Sequence, residues 1–363
     1  MLIKSDWRQR RFTLSENRMK GLGMIKLNLR ARGLMFALLA IIGGATADVR
    51  AQVANDLLTK LPASDAVMYV DAERTLTQVL PRLLVNNQAH LTQINGDIDR
   101  FRERTGIDAR TFKRVAVGMR FVEVGAGNVD VQSVAIASGT FNPGVMTAAA
   151  RLASNGKYRE EKYAGKTISL FTLSEQVKLL GVMNMGAGEI AVAPLDATTL
   201  AIGQAAGVRA AIDAAQGRNR ASADVINLAT QSSNAFFGFG GNVPASFVQG
   251  LDFPNEEIKR GVASIRQVYG SVGTTAKGFQ VLTTARTAEA GAAQSLGNMI
   301  DALRQLAPLL TGTMRGDQGK LARAALDGLK VQTINNEVKL SLEMSDGDVA
   351  LLIPRIIPNR AAR

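Results

Sequence analysis

Residues 64–80 read SDAVMYVDAERTLTQVL, an apolar run followed by a turn and a helical pattern. The run DAVMYVD over residues 65–71 is rich in β-branched and aromatic residues and predicts a buried strand. Residues 233–249, SNAFFGFGGNVPASFVQ, align with this stretch without gaps, which places Ala66 on Ala235. Both stretches therefore predict the same unit of strand, turn and helix.

The correspondence extends beyond these two stretches. In the first part of the chain RVAVGMRF and VQSVAIASGTF predict two strands, and NPGVMTAAARLA predicts the helix that follows them. QVYGSVGTTAKGFQVLTTARTAEAGAAQSLGNMIDALRQLA repeats that order, and a hairpin follows in each case. We therefore predict an α+β fold of two similar halves, each an antiparallel sheet with packed helices, related by a pseudo-two-fold internal repeat. Whether the halves form one sheet or two domains stays open.

The predicted boundaries follow changes in composition. Residues 1–51 form a basic N-terminal extension and signal segment, residues 52–217 the first α+β half, and residues 234–363 the second. Residues 218–233, RNRASADVINLATQSS, are polar at both ends and predict a connecting segment.

Local signals mark the ends of several elements. Pro81 and Gly96 are predicted to break helical stretches, and Asn142 is predicted to cap a helix. Asn335 and Asn336 predict a two-residue hairpin turn, because asparagine tolerates a positive φ.

The counts of cysteine and histidine exclude several kinds of chemistry. The 363 residues contain no cysteine and one histidine, His90. The lack of cysteine excludes disulfides, iron–sulfur clusters, thiolate zinc sites and cysteine nucleophiles. A single histidine leaves a serine or carboxylate mechanism without its usual base. We therefore predict no catalytic residue, no cofactor and no metal site.

The formal net charge of +12 is concentrated near the N-terminus. Residues 1–51 contain ten Lys or Arg and three Asp or Glu. The rest of the chain has a modest positive charge, and aromatic residues make up 5% of the sequence. Basic patches and base-stacking platforms are therefore not indicated, and we expect no nucleic-acid partner.

Residues 24–52, MIKLNLRARGLMFALLAIIGGATADVRAQ, have the basic, apolar and small-residue parts of a secretory signal in that order. The apolar core, residues 34–42, is shorter than the about 20 residues that span a bilayer. We predict cleavage after Ala47 or Ala51 and export to the periplasm or the cell exterior. Membrane contact is then limited to this segment.

Two alternatives remain at the N-terminus. If the signal is not cleaved, residues 34–47 would anchor the chain in the inner membrane. Met1, Met19 and Met24 are alternative starts.

The glycines of GFGGNVP raise the question of a phosphate-binding loop. Their spacing departs from the dinucleotide fingerprint, which needs a third glycine two residues further on. A junction of strand, glycine and helix can nevertheless bind an anion through backbone N–H groups. The anion-site candidates are Gly240, Gly241, Asn242 and Val243. The alternative interpretation, favoured by the alignment on residues 64–80, is that these glycines permit close packing.

Two pairs of acids are the nearest approach to paired carboxylates. Asp97 and Asp99 lie in NGDIDR, and Asp346 and Asp348 lie in SDGDV, and neither pair has the ligand series of a calcium loop. We interpret Asp346 and Asp348 as a helix cap and a first-turn acid. We interpret His90, in the polar setting NNQAHLTQ, as a surface or capping residue.

LPASDAVMYVDA at residues 61–72, TGIDARTFKRVAVGM at residues 105–119 and the paired halves resemble uncharacterised exported bacterial proteins with domains of unknown function. The resemblance covers residues 60–350 in pattern and brings no functional residues with it. It implies export and an α+β fold.

The sequence thus favours an exported, non-enzymatic protein that binds a ligand or has a structural role in the envelope. The groove between the halves or an exposed sheet face would serve as the binding surface. A periplasmic carrier of an apolar ligand is one alternative, suggested by twelve methionines. A hydrolase of unidentified class is the other. The ligand and the oligomeric state do not follow from the sequence.

Overall fold

A computed structural model describes residues 56–352, except residues 106–107, 126–128, 155–157, 174–176, 180–182, 186–187, 250–255, 312–313 and 315. The predicted signal segment lies outside the described residues.

The strands of the described residues are numbered in chain order. They are β1 Ala66–Asp71, β2 Phe112–Glu123, β3 Val129–Gly139, β4 Tyr158–Tyr163, β5 Lys166–Leu173, β6 Val177–Leu179, β7 Met183–Met185, β8 Gly188–Asp196, β9 Thr199–Gly203, β10 Phe237–Asn242, β11 Ile265–Thr275, β12 Gly278–Thr287, β13 Leu329–Ile334 and β14 Glu337–Ser345.

The helices are numbered in the same way. Helix α1 consists of Ala72–Arg74, Thr75–Val79 and Leu80–Leu83, which follow one another without interruption. The others are α2 Gln88–Thr105, α3 Pro143–Ala153, α4 Ala205–Ala215, α5 Ala223–Ala229, α6 Ala245–Gln249, α7 Glu256–Ala263, α8 Ala290–Thr311, α9 Gly316–Gly328 and α10 Asp346–Ala350.

Twelve of the strands form one sheet, in the order β13-β14-β12-β11-β10-β1-β2-β3-β9-β8-β5-β4. All neighbouring strands in it are antiparallel. The predicted α+β class with antiparallel strands is therefore confirmed. The predicted first and second halves share this sheet, because β1 pairs with β10 at its centre.

One face of the sheet, here called the helical face, is covered by helices along its length. Helices α1, α2, α3 and α10 pack there in one large apolar cluster, which includes strand residues such as Val117 and Phe279. Helix α8 packs further along the same face, where Leu296 meets Val338. Alternating strand residues supply this layer, since successive side chains of a strand point to opposite faces.

The opposite face, here called the reverse face, is covered unevenly. In the first half, α4 packs against β3, β5, β8 and β9, and a helical turn at residues 56–58 joins the same apolar cluster. Helix α5 packs against β1, β10 and β11 at the centre. Beyond β11 no helix of the described residues packs on this face of β12, β14 and β13.

Several local predictions are confirmed. Asn142 caps α3, because its Oδ1 accepts from the N–H groups of Gly144 at 2.9 Å and Val145 at 3.2 Å. Asn335 adopts a positive φ of 54° in the turn between β13 and β14.

The two predicted helix breaks are wrong. Helix α1 continues through Pro81 because a π-helical turn at Thr75–Val79 precedes it, and proline then stands at the start of the next α-helical segment. The missing N–H is tolerated at such a position. Gly96 lies inside α2, whose burial of Ile94 and Ile98 offsets the roughly 1 kcal/mol that glycine costs a helix.

The predicted connecting segment contains α5, which Ser222 caps by accepting from the N–H of Val225. Its residues Val225, Ile226, Leu228 and Ala229 are buried. The boundaries at residues 52–217, 218–233 and 234–363 stay predictions.

Arg74 connects α1 to the second half beside the central strand pair. It is 7% exposed, and its guanidinium donates to the carbonyl oxygen of Asn234 at 2.8 Å and to Oγ1 of Thr274 at 2.9 Å. The same group lies 6.0 Å from the ring centroid of Phe236. A buried cation requires partners of this kind, because an unsatisfied one is costly.

We predict that Arg74→Ala lowers the free energy of unfolding by about 3 kcal/mol, because hydrogen bonds from a buried charge are lost. Urea denaturation measures this loss. Arg110→Ala is the matched control, since Arg110 forms exposed ion pairs with Asp99 and Asp108 and should cost less than about 1 kcal/mol. Equal losses in the two variants would contradict the role of Arg74.

Candidate functional site

The four anion-site candidates lie at the end of the central strand pair. Gly240 and Gly241 are in the ladders that β10 forms with β1 and β11. The N–H of Asn242 donates to the carbonyl oxygen of Asp65, and that of Val243 donates to the carbonyl oxygen of Arg266, each at 2.8 Å. These N–H groups thus bind main-chain carbonyls and do not converge on one point. The anion site at these four residues stays a prediction that the hydrogen bonds do not support.

The glycines of β10 allow very close approach of neighbouring backbone. A Cβ atom on Gly238 would lie 2.1 Å from the carbonyl oxygen of Ala229, and one on Gly240 would lie 2.4 Å from Cβ of Leu228. A Cβ atom on Gly241 would lie 2.3 Å from Cβ of Ala66. Such contacts are far inside van der Waals distance. The glycines therefore let α5 and β1 pack directly on β10.

We predict that Gly240→Ala lowers the free energy of unfolding by about 2–3 kcal/mol, because the new methyl group would overlap the backbone of α5. Urea denaturation measures the change. Gly291→Ala is the control, because nothing lies within 4 Å of its added Cβ, and it should be neutral or stabilise by up to about 1 kcal/mol. A stable Gly240→Ala variant would show that α5 is free to shift.

The acidic pairs form ion pairs with arginines or cap a helix. Asp99 lies 2.9 Å from Nη1 of Arg110, and Asp97 forms an ion pair with Arg100. Asp346 lies 2.9 Å from Nη2 of Arg82. Among the described residues, no group of three or more His, Asp or Glu could hold a metal ion.

The predicted cap at the last helix is shifted by one residue. Ser345 is the cap of α10, because its Oγ accepts from the N–H of Asp348 at 3.1 Å. Asp346 and Asp348 both lie in the first turn, where a negative charge is favourable.

The interpretation of His90 as a surface or capping residue is wrong. Its side chain is 5% exposed, and neither ring nitrogen has a hydrogen-bond partner among the described residues. Its neighbours in sequence are polar, but His90 shares a helical stripe with the buried residues Ile94, Ile98 and Phe101 of α2. That spacing is the sequence signal for its burial.

A row of polar side chains crosses four adjacent strands on the reverse face. Asn242 on β10, Gln267 on β11, Arg286 on β12 and Glu337 on β14 are successive cross-strand neighbours. The side chains donate along the row, from Gln267 Nε2 to Asn242 Oδ1 at 2.9 Å and from Arg286 Nη1 to Gln267 Oε1 at 2.6 Å. Arg286 Nη2 donates to Glu337 Oε1 at 2.8 Å. We call this set the polar row.

Tyr269 extends the polar row toward the interior. It is buried, its hydroxyl donates to Glu337 Oε1 at 2.7 Å, and its ring centroid lies 5.3 Å from the guanidinium carbon of Arg286. Glu337 also lies 3.2 Å from Nζ of Lys339. Glu337 therefore accepts from several donors at once, which is the arrangement expected for a partly buried carboxylate.

The electrostatics of the polar row follow from these contacts. Burial alone would raise the pKa of Glu337, but hydrogen bonds from Tyr269, Arg286 and Lys339 outweigh it and hold the pKa below its usual value. Burial and the hydrogen bond to Glu337 raise the pKa of Tyr269. The hydrogen bond to Glu337 raises the pKa of Arg286. All three groups therefore keep their ordinary charge states near neutral pH.

We predict that Glu337→Gln lowers the free energy of unfolding by about 1–2 kcal/mol near pH 7 and by less near pH 3. A carboxyl whose pKa is depressed by folding stabilises above its unfolded pKa, and that contribution is lost as the pH falls through the folded pKa. Urea denaturation at the two pH values measures the difference. Glu343→Gln, on the exposed reverse side of β14, should change stability by less than about 0.5 kcal/mol at both. A pH-independent loss at Glu337 would contradict this account.

Next to the polar row, the reverse face of β12, β14 and β13 is open to solvent. Its side chains alternate with those of the helical face, and two aliphatic ones are exposed, Leu282 at 37% and Ile334 at 48%. We call this surface the open face. Its principal residues are Leu282, Lys330, Gln332, Ile334, Lys339 and Ser341. Such a surface can bind an extended or flat partner through side chains of both kinds.

No helix in the described part of the chain is long and apolar enough to cross a membrane. No protein-family model matches the chain, and no curated protein sequence matches it.

The chain is similar to solved structures of TP0453. Crystal form III gives a TM-score of 0.45 at 9% identity, covering 83% of this chain and 98% of that one. Crystal form I gives a TM-score of 0.43 at 10% identity, with the same coverage of both chains. Crystal form IV gives a TM-score of 0.42 at 9% identity, covering 84% of this chain and 99% of that one. At these values the similarity carries no argument about function.

Proposed function

We propose that this chain is exported and acts as a non-enzymatic binding or structural protein of the cell envelope, with the open face as its contact surface. The observation that carries the proposal is the uneven cover of one continuous sheet. Helices cover the reverse face of the first half, whereas that face of β12, β14 and β13 stays exposed. The signal-like segment at residues 24–52 supports export.

We further propose that the chain contains two similar halves. The order of the strands supports this. Outward from the central pair, one side runs β1, β2, β3, β9, β8 and the other runs β10, β11, β12, β14, β13. On each side the hairpin β2–β3 or β11–β12 is followed in space by a later hairpin, β8–β9 or β13–β14, whose last strand lies on the inner side. The first half would then differ by its additional β5 and β4 at the edge.

The register of the central pair also supports a repeat. The gapless alignment places Met68 on Phe237 and Val70 on Phe239. In the sheet Met68 pairs with Phe239, and Val70 pairs with Phe237. Exchange of the two halves therefore maps this register onto itself, as a two-fold axis through the centre of the pair requires.

If the halves are related in this way, the open face is where they have diverged. Helix α4 follows β9 and covers the reverse face of the first half. Helix α10 follows β14 in the corresponding place, but its Val349 packs into the cluster on the helical face. The second half thus keeps a surface exposed that its counterpart buries. A surface retained in this way is suited to a partner outside the chain.

The side chains of the open face indicate the kind of partner. Lysines and glutamines flank Leu282 and Ile334, and no helix in the described part of the chain encloses them. A small apolar ligand is usually bound in a concave pocket. A flat mixed surface instead favours a protein or a polymer of the envelope.

We predict that a photo-crosslinking amino acid at Leu282, introduced into the full chain in living cells, forms an adduct with a cell-envelope component. The control position is Val145, an exposed aliphatic residue on α3 of the first half with 65% exposure. We expect an adduct from Leu282 and none from Val145, in the extracytoplasmic fraction.

Equal adducts at the two positions, no adduct at Leu282, or recovery of the chain in the cytoplasm would contradict the proposal. An adduct with the added mass of one lipid, instead of a protein or polymer, would favour the carrier of an apolar ligand.

A further inference from the structure

The two edge strands of the sheet differ in how they resist pairing with another chain. Strand β4 reads YREEKY, and its four central residues are all charged. Strand β13 reads LKVQTI, with Lys330 as its single charge and with β-branched residues at three of six positions. Charged side chains are a common device against edge-to-edge association. Charged side chains occupy the whole centre of β4 but a single position of β13, so only β4 is well protected against edge pairing.

The hairpin between β13 and β14 determines which backbone groups face the open edge. Its two-residue turn is closed by Ile334 and Glu337, which form a hydrogen-bonded pair in such hairpins. Lys330, Gln332 and Ile334 therefore direct their N–H and C=O groups to β14. The backbone groups of Val331 and Thr333 point outward. Among the hydrogen bonds of the described residues, none occupies these outward groups.

We propose that β13 pairs antiparallel with β13 of a second copy of this chain and joins two sheets into one. When two copies of a strand pair antiparallel about a two-fold axis, one residue lies opposite the same residue of the other copy. If that residue is Gln332, the outward groups of Val331 in each copy meet those of Thr333 in the other. Lys330 then lies opposite Ile334 of the second copy, so no two like charges face each other.

The same operation on β4 is unfavourable. Each of its four central residues is charged, so any two-fold pairing centred there opposes two like charges. Arg159 and Glu161 of this strand are already engaged, in ion pairs with Glu189 and Arg209. Like charges directly opposite one another destabilise a strand pair. Self-association is therefore assigned to β13.

Helix α8 supplies a second contribution to this contact. It packs over β13, where Gly297 lies so close to Thr333 that an added Cβ would be 2.2 Å from Oγ1. Further along the helix, Leu303 is 48% and Leu306 is 54% exposed. A two-fold axis perpendicular to the sheet puts the helical faces of both copies on the same side. The two α8 helices then lie on the same side of the joined sheet, and any of this exposed apolar surface that the second copy covers adds apolar burial to the strand pairing.

Introducing a charge at Gln332 tests the proposal. The variants are made in the full chain and purified from the cells that produce it. We expect sedimentation equilibrium to give the mass of a dimer for the unchanged protein. Gln332→Glu and Gln332→Lys should each weaken dimerisation at least about tenfold, because each opposes two like charges across the axis. An equimolar mixture of the two variants should restore association as a heterodimer. Gln332 is exposed on the open face, so neither change should affect folding.

The control is the same pair of substitutions at Gln88, an exposed residue at the start of α2, which should leave dimerisation unchanged. Hydrogen exchange gives an independent reading, since the amides of Val331 and Thr333 should gain protection in the dimer and lose it in either Gln332 variant. A monomer at concentrations up to about 1 mM would overturn the proposal. So would a dimer that the Gln332 variants do not weaken, or a mixture that fails to restore association.

Discussion

The close approach of β1, β10 and α5 is the constraint on which the rest of the structure depends. Ladder hydrogen bonds join β1 to β10, and Gly238 and Gly240 let α5 lie directly on that pair. Every other strand of the sheet is added outward from this centre on one side or the other. Arg74 then links α1 to the second half beside it. A side chain at either glycine would separate layers whose spacing fixes the positions of the helices.

Elements with local signals were predictable from the sequence. The cap at Asn142 and the turn at Asn335 depend on the residue and its immediate neighbours, and both form as predicted. The strand at residues 65–71 and the α+β class follow from periodicity in the same way. The interactions that form these features involve residues close together in the sequence, so a short segment of sequence is enough to predict them.

Features decided by distant partners were not predictable. Gly96 and Pro81 continue their helices because of packing and a π-helical turn, and propensity alone indicated breaks. The candidate anion site at Gly240 to Val243 could not be judged without knowing that Asp65 and Arg266 accept the N–H groups of Asn242 and Val243. The open face depends on which strands of the sheet a helix covers. The alternation of side chains along β12 and β14 does not determine whether a helix covers the reverse face. A solvent-facing sheet face and a helix-covered one both fit this alternation.

The pairing of β1 with β10 also has a kinetic consequence. It joins residues 66–70 to residues 237–241, so the centre of the sheet closes only after most of the chain has been synthesised. Pairing between segments so distant in sequence is slow, because the entropy of closing the intervening loop is lost before the contacts form. Until then β1 leaves one edge unpaired, and an unpaired edge is prone to aggregation. The late closure therefore leaves this edge unpaired for longer than pairing between neighbouring segments would, whatever the stability of the finished fold.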